Sequence, residues 1–102
     1  MNRIVFTELA EDDLIDIWVY IAPDNEIAAD RIVDEIHEVT RELLTFPLMG
    51  RSADHLRPGA RAFVHGSYLI VYRPMAYGIA VLRVAHGAQA LELLEYPPPP
   101  QE

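Results

Sequence analysis

Hydrophobic residues in the second half of the chain form short continuous runs that are typical of strands. Residues 68–72 are rich in β-branched and aromatic residues, residues 79–86 are mostly aliphatic, and residues 61–65 form a third run of strand length. The turn pair Gly66 and Ser67 separates the first two runs, and a loop over residues 74–78 separates the last two. Connections this short join antiparallel neighbours, because a parallel return needs a crossover of about a dozen residues. The pattern therefore predicts a three-stranded antiparallel meander.

Upstream, residues 2–6 are predicted to form a short strand, and two segments then follow a helical period. Thr7 can cap the first helix, whose apolar stripe consists of Ala10, Leu14, Ile17, Trp18 and Ile21. Asp24 or Asn25 can cap the second helix, whose stripe consists of Ala29, Ile32, Val33, Ile36, Val39 or Thr40, and Leu43. We expect Trp18 to anchor helix to sheet. Because the connection is short, the two helices should form an antiparallel hairpin.

These elements predict an α+β fold. A short N-terminal strand and an antiparallel helical hairpin are followed by a three-stranded antiparallel meander, which forms one sheet. A chain of 102 residues accommodates one domain, which we assign to residues 1–96. Residues 47–60 are rich in Pro and Gly and are predicted to be a long loop. A short helix is expected over residues 88–96, and a disordered proline-rich tail over residues 97–102.

Charge is divided unevenly along the chain. The formal net charge is −8, and residues 1–50 contain twelve carboxylates and three arginines. In contrast, residues 51–86 contain one carboxylate, Asp54, and five arginines: Arg51, Arg57, Arg61, Arg73 and Arg83. An arginine-bearing surface suits a carboxylate or phosphate partner. The acidic chain as a whole does not suit nonspecific DNA binding, which depends on positive charge.

Composition excludes several kinds of chemistry. The chain has no Cys, so neither a disulfide nor a thiolate can form. It has no apolar run long enough to span a membrane and no apolar core of a signal peptide, so we expect a soluble, cytoplasmic protein that does not engage a membrane. The carboxylates lack His or Glu partners at ligand spacing, so we expect no metal and no cofactor.

Several stretches of the sequence resemble a known family. They are the helical segments DLIDIWVYIAPDN and IAADRIVDEI, the turn FPLMGR, and the string LRPGARAFVHGSYLIVYRP followed by IAVLRVAHGAQ. In this order, over nearly all of residues 3–90, they resemble the ParE branch of the ParE/RelE superfamily of toxin–antitoxin toxins. The resemblance implies a non-enzymatic toxin that inhibits DNA gyrase and is neutralised by a ParD-type antitoxin in a hetero-oligomer. It would meet nucleic acid only indirectly, through gyrase or the antitoxin.

RelE-type relatives share this fold but cleave mRNA on the ribosome, which gives an alternative function. Where those nucleases resemble this chain, Leu69 replaces an Arg, and aliphatic Leu91 or Leu93 replaces a Tyr. The remaining catalytic set would be Arg61, Arg83 and His86. A non-toxic relative that only binds antitoxin is a third possibility. Two structural alternatives also stay open, namely pairing of Arg61 and Arg73 with helix carboxylates, and a hydrogen-bonded imidazole at the strand end for His86.

The resemblance and the charge pattern together define two candidate surfaces. The target-binding surface is predicted to consist of Arg51, Arg57, Arg61, Arg73, Arg83 and His86. The antitoxin-binding surface is predicted to contain Leu9, Ile15, Val19 and Ile27, which fall off the main buried stripes of the helices. An amphipathic antitoxin segment should lie along the hairpin of residues 8–45 and can also add to a sheet edge.

Overall fold

The computed structural model describes residues 2–87 and 89–101. Met1, Ala88 and Glu102 lie outside the described residues, and so do the parts of the domain, tail and C-terminal helix predictions that fall on them. The described elements follow one another in the order β1 (Arg3–Phe6), α1 (Glu8–Ile21), α2 (Glu26–Thr45), β2 (Arg51–Ser52), β3 (Arg61–His65), β4 (Tyr68–Met75) and β5 (Gly78–His86), with a 3₁₀ turn at Leu91–Leu93. Among these residues, no helix has the combination of length and apolarity that crossing a bilayer requires.

The strands form one mixed sheet in the order β1-β5-β4-β3-β2, so the predicted α+β class is confirmed. The antiparallel meander β3-β4-β5 is its centre, and β1 lies parallel to β5. The loop predicted over residues 47–60 contains the short strand β2. The sequence did not predict this strand, because two residues are too few to give a recognisable pattern. Strand β4 continues through Pro74, which lies beyond the last residue paired with β3, so its missing N–H leaves no ladder bond unmade on that side.

Side-chain caps start both helices as predicted. The Thr7 hydroxyl accepts a hydrogen bond from the Ala10 amide at 3.1 Å and donates to the Leu82 carbonyl at 2.7 Å, so it also ties α1 to β5. The Asn25 side chain accepts from the Ala28 amide at 3.0 Å. Both caps fix where the chain turns, and the helices form the expected antiparallel hairpin.

The hairpin packs on one face of the sheet and encloses the main core. This core contains Ala10, Leu14, Ile36, Val39, Leu43, Ile70, Tyr72, Ile79, Val81 and Val84. Most of the predicted helical stripe is therefore buried. Trp18 differs from its predicted role, because it is half-buried and its indole N–H donates to Asp30 of α2 at 2.8 Å. It thus bridges the two helices, since the indole N–H needs an acceptor that the apolar core does not offer.

The other face of the sheet is covered by the loop over residues 53–60 and by the C-terminal segment. Its cluster contains Ala53, Ala60, Ala62, Val71, Tyr77, Ala80 and Leu82, with Tyr96 packed against it. Within residues 97–101, Pro99 is buried, and the Tyr77 hydroxyl donates to the Pro100 carbonyl at 2.7 Å. Prolines lack N–H groups, so they cover an apolar surface without burying unpaired donors. In the described part of segment 88–96, the only helical turn is the 3₁₀ turn.

Candidate functional site

Arg61 holds the loop that connects α2 to β2. Its Nε donates to the Gly50 carbonyl at 2.7 Å, and its Nη2 donates to the Leu48 carbonyl at 3.2 Å. From β4, the Tyr72 hydroxyl donates to the Pro47 carbonyl at 2.7 Å and accepts from the Gly50 amide at 3.0 Å. A β-carbon on Gly50 would lie 2.8 Å from this hydroxyl oxygen, so only glycine permits the close approach. Arg61 therefore has a structural task.

Arg83 is committed to a second structural contact. Its Nε and Nη2 each donate to an oxygen of Asp13 on α1 at 2.9 Å, and its Nη1 donates to the Glu95 carbonyl at 2.9 Å. The Val84 amide adds a further bond to Asp13 at 2.8 Å. The hydrogen bonds that Arg83 donates to Asp13 raise the pKa of Arg83 above its ordinary value. The ion pair between Arg83 and Asp13 joins α1 to β5, and the bond to Glu95 adds the C-terminal segment.

A β-bulge explains the position of Arg83. Val71 of β4 pairs with Arg83, and the next residue, Tyr72, pairs with Val81, so Leu82 is an extra residue in β5. Simple alternation of side chains along a strand would place Arg83 on the same side as Ile79 and Val81. The bulge instead places Val84 in the helix-facing core with those two residues.

Three of the predicted cations remain available. In the part of the chain that the structure describes, the guanidinium groups of Arg51, Arg57 and Arg73 form no hydrogen bond or ion pair. Arg73 packs on the 53–60 loop, where a β-carbon on Gly59 would lie 2.6 Å from its Nε. Arg51 lines a groove of about 280 Å³ beside Val64 and Leu69. These three residues follow the loop side of the sheet, and we refer to them as the arginine face.

Asp54, the one carboxylate in this region, is occupied by the loop itself. It accepts hydrogen bonds from the Gly59 amide at 2.7 Å and the Ser52 hydroxyl at 3.1 Å. These two bonds, with smaller contributions from Arg61 and His55, hold the pKa of Asp54 below its ordinary value of 3.8. The carboxylate therefore stabilises the loop, and it makes no ion pair with Arg51, Arg57 or Arg73.

His86 lies exposed at the end of β5, between two grooves. One is the 280 Å³ groove that contains Arg51, and the other, of about 320 Å³, is lined by Asp16, Tyr20 and Tyr68 among others. The Tyr68 ring meets the imidazole edge-on at a centroid distance of 5.7 Å. The members of the predicted catalytic set therefore have different surroundings. Arg61 is hydrogen-bonded to the 47–50 loop, Arg83 is hydrogen-bonded to Asp13, and His86 is exposed at the end of β5. Pairing with a helix carboxylate was the structural alternative for Arg61 and Arg73. The structure shows such a pair for Arg83 instead, with Asp13 of α1.

Comparison with known proteins gives the family. A family model described as the ParE toxin of the type II toxin–antitoxin system parDE matches residues 4–91. The chain belongs to the ParE toxin family. Toxin ParE3 of Caulobacter vibrioides is 28% identical over 92 residues, which cover 89% of this chain and 92% of the relative. A solved structure of the chromosomal ParDE toxin–antitoxin system from P. aeruginosa shares the fold, with a TM-score of 0.69 and 23% identity over 84% of this chain and 96% of that one.

Membership of the ParE family implies an antitoxin partner, and the hairpin bears the residues predicted to meet it. The exposed fractions of Ile15, Val19 and Ile27 are 58%, 56% and 78%, whereas Leu9 is half-buried. Tyr20, next to Val19, is 85% exposed. Several carboxylates surround these side chains, including Asp12, Asp16, Glu26 and Asp30. The hairpin of this ParE toxin thus presents an apolar surface with an acidic border.

Sequence reasoning missed two residues that position this site. Asp13 lies three residues after Ala10 and four before Ile17, so it falls on the buried stripe of α1, where a carboxylate needs a cation. That position indicates a buried ion pair, although the sequence does not identify the partner. Tyr72 gave no comparable indication, because its ring packs in the core while its hydroxyl serves a loop more than twenty residues away.

Proposed function

We propose that this ParE toxin inhibits DNA gyrase by binding it, without a catalytic step, and that a ParD-type antitoxin neutralises it. The observation that carries the proposal is the separation of two surfaces on one small ParE fold. One is the arginine face, with unpaired guanidinium groups, and the other is the acidic hairpin with exposed apolar side chains. We place the activity in the cytoplasm, where gyrase works.

The arginine face supplies the attraction to the target. Unpaired guanidinium groups near a surface attract a partner's carboxylates or phosphates over about 8 Å at physiological salt. A guanidinium already bonded to a carboxylate, as Arg83 is to Asp13, offers little further attraction. Binding to the target therefore relies on Arg51, Arg57 and Arg73 rather than on all five cations of this half of the chain.

The settings of Arg61 and Arg83 favour binding over nucleolytic chemistry. A nuclease needs cations and proton-transfer groups that converge on one scissile phosphate. Arg61 donates its hydrogen bonds to backbone carbonyls of the 47–50 loop, and Arg83 donates to the Asp13 carboxylate and the Glu95 carbonyl. A toxin built in this way acts stoichiometrically, so its effect follows the amount bound.

Reversing charge on the arginine face should weaken gyrase inhibition. We expect the double variant Arg51→Glu and Arg57→Glu to need at least about tenfold more protein for half-inhibition of supercoiling, because like charges then replace attractive ones. The matched control is Arg31→Glu with Arg41→Glu, which makes the same change of charge on exposed positions of α2. Equal inhibition by both double variants would contradict this assignment.

The antitoxin surface is assigned to the hairpin for a complementary reason. Exposed apolar side chains at Ile15, Val19 and Ile27 suit the apolar side of an amphipathic segment, and the surrounding carboxylates suit basic residues along its border. Binding there leaves the arginine face on the opposite side of the sheet. On this proposal, neutralisation depends on a larger complex that keeps the toxin from its target.

Val19→Asp tests the placement of the antitoxin. A carboxylate in an apolar contact should cost about 1–3 kcal/mol, which raises the dissociation constant for the antitoxin by about 5- to 150-fold. Val19 is exposed, so the melting temperature should change little. Leu93→Asp makes a similar change at an exposed position outside the hairpin and should leave the dissociation constant as in the wild type. Isothermal titration calorimetry measures both, and an unaltered constant for Val19→Asp would refute the placement.

A further inference from the structure

The loop between α2 and β2 exposes three large apolar side chains. The exposed fractions of Phe46, Leu48 and Met49 are 62%, 71% and 41%. Clustered apolar side chains at the surface of a small soluble protein commonly mark an interaction site. We call these three residues the apolar loop. They belong neither to the predicted target-binding set nor to the predicted antitoxin set.

The backbone beneath these side chains is fixed from inside the protein. Arg61 and Tyr72 together make four hydrogen bonds to the backbone of residues 47–50. Pro47 restricts its own backbone, and the space around Gly50 has no room for a β-carbon. A loop that is already ordered loses less conformational entropy when a partner binds, and the hot spots of protein interfaces are usually supported in this way.

Position separates the apolar loop from the antitoxin surface. Ile27 lies near the start of α2 and Phe46 directly after its end, so about 28 Å of helix lies between them at 1.5 Å per residue. Charge separates them as well. Residues 43–53 contain Arg51 and no carboxylate, whereas the hairpin patch is bordered by carboxylates. The two apolar surfaces therefore suit partners of different chemistry.

We propose that the apolar loop is the hot spot through which the toxin binds its protein target, with Phe46 and Leu48 entering an apolar pocket whose rim is acidic. The acidic rim follows from Arg51 beside the loop and from the absence of carboxylates within residues 43–53. This inference deepens the proposed function and depends on it for the identity of the target, gyrase. The arginine face then provides attraction, and the apolar loop provides most of the binding free energy.

The test is the full-length double variant Phe46→Ser and Leu48→Ser. We expect about 30-fold or more protein to be required for half-inhibition of supercoiling, as is typical of hot-spot truncation, and we expect loss of growth arrest on expression. The affinity for the antitoxin and the melting temperature should stay close to those of the wild type, because both side chains are largely exposed and lie outside the hairpin patch. Leu93→Ser, at an exposed apolar position of the 3₁₀ turn, is the matched control and should inhibit like the wild type.

The possible results separate this inference from the proposed function. Unchanged inhibition and growth arrest by the double variant overturn it. A tenfold loss of antitoxin affinity with growth arrest intact also overturns it, because the loop then belongs to the antitoxin surface. If the wild type arrests growth without inhibiting gyrase and the double variant does not arrest growth, the loop is the hot spot for a different target and the gyrase proposal fails. A wild type that neither arrests growth nor inhibits gyrase refutes both.

Discussion

Replacing Asp13 with alanine is expected to lower the free energy of unfolding by about 3–5 kcal/mol, the usual cost of removing one partner from a buried ion pair. The exposed fractions of the Arg83 and Asp13 side chains are 12% and 11%. Asp13 accepts two hydrogen bonds from the Arg83 guanidinium and one from the Val84 amide. Its removal leaves two N–H groups of the Arg83 guanidinium and the Val84 backbone N–H without their acceptor, so α1 is loosened from β5. Urea unfolding followed by circular dichroism measures the change.

An exposed ion pair provides the control for Asp13. Glu38 pairs with Arg41 on the surface of α2, where both side chains are largely exposed. Glu38→Ala should change the free energy of unfolding by less than about 1 kcal/mol, because solvent screens such pairs. A loss for Asp13→Ala no larger than this control would show that the buried pair does not hold the helices to the sheet.

Replacing Gly78 with alanine is the second change for which we expect a large effect. A β-carbon at this position would lie 2.0 Å from the Arg3 carbonyl oxygen, and the glycine has φ +143°, which is strongly unfavourable for other residues. Because Gly78 pairs with Arg3 where β1 and β5 meet, the clash forces the two strands apart. We expect a loss of about 3 kcal/mol or more in the free energy of unfolding, measured by the same urea titration.

Gly66→Ala separates the clash from the backbone strain. Gly66 also has positive φ, +59°, but no atom lies within 4 Å of the position that a β-carbon would occupy. This variant should therefore lose only about 1 kcal/mol, the cost of left-handed backbone in a residue with a β-carbon. Equal losses for the two variants would mean that strain, rather than the contact with β1, accounts for the effect.

The parts of the fold that depend on local pattern could be predicted from the sequence. The caps at Thr7 and Asn25 are adjacent to the helices they start, and the turn at Gly66 joins neighbouring strands, so short-range chemistry determines them. The parallel pairing of β1 with β5 is different, because it joins segments more than seventy residues apart. The hydrogen bond from the Tyr77 hydroxyl to the Pro100 carbonyl is also of this kind, since it joins residues more than twenty apart.

The candidate site shows the same division. Charge counting along the chain located the basic half, but it could not distinguish free arginines from paired ones. The extra residue at Leu82 and the reach of Tyr72 to Pro47 are tertiary features, and they determine that Arg83 and Arg61 are structural. Asp13 is the exception, because an acid on a buried helical stripe by itself indicates a cation partner. The exposed side chains of the apolar loop had no periodic pattern to reveal them.

The internal polar contacts of this toxin hold its binding surfaces in place. Two of the five arginines in the basic half stabilise the fold, and three remain available on the loop side. The hairpin presents a different, acidic surface at the other side of the sheet. On the proposed function, this arrangement lets a chain of 102 residues offer separate surfaces to a target and to an antitoxin.

The central claim is that the wild-type protein acts by occupying gyrase. Its most direct test is a titration of purified gyrase with the toxin, with supercoiling as the readout and transcripts from expressing cells mapped in parallel. We predict that supercoiling falls in proportion to the toxin bound and stops falling once gyrase is saturated, while transcripts stay intact. Undiminished supercoiling at a large excess of toxin, together with transcripts cut at codons, would contradict the claim.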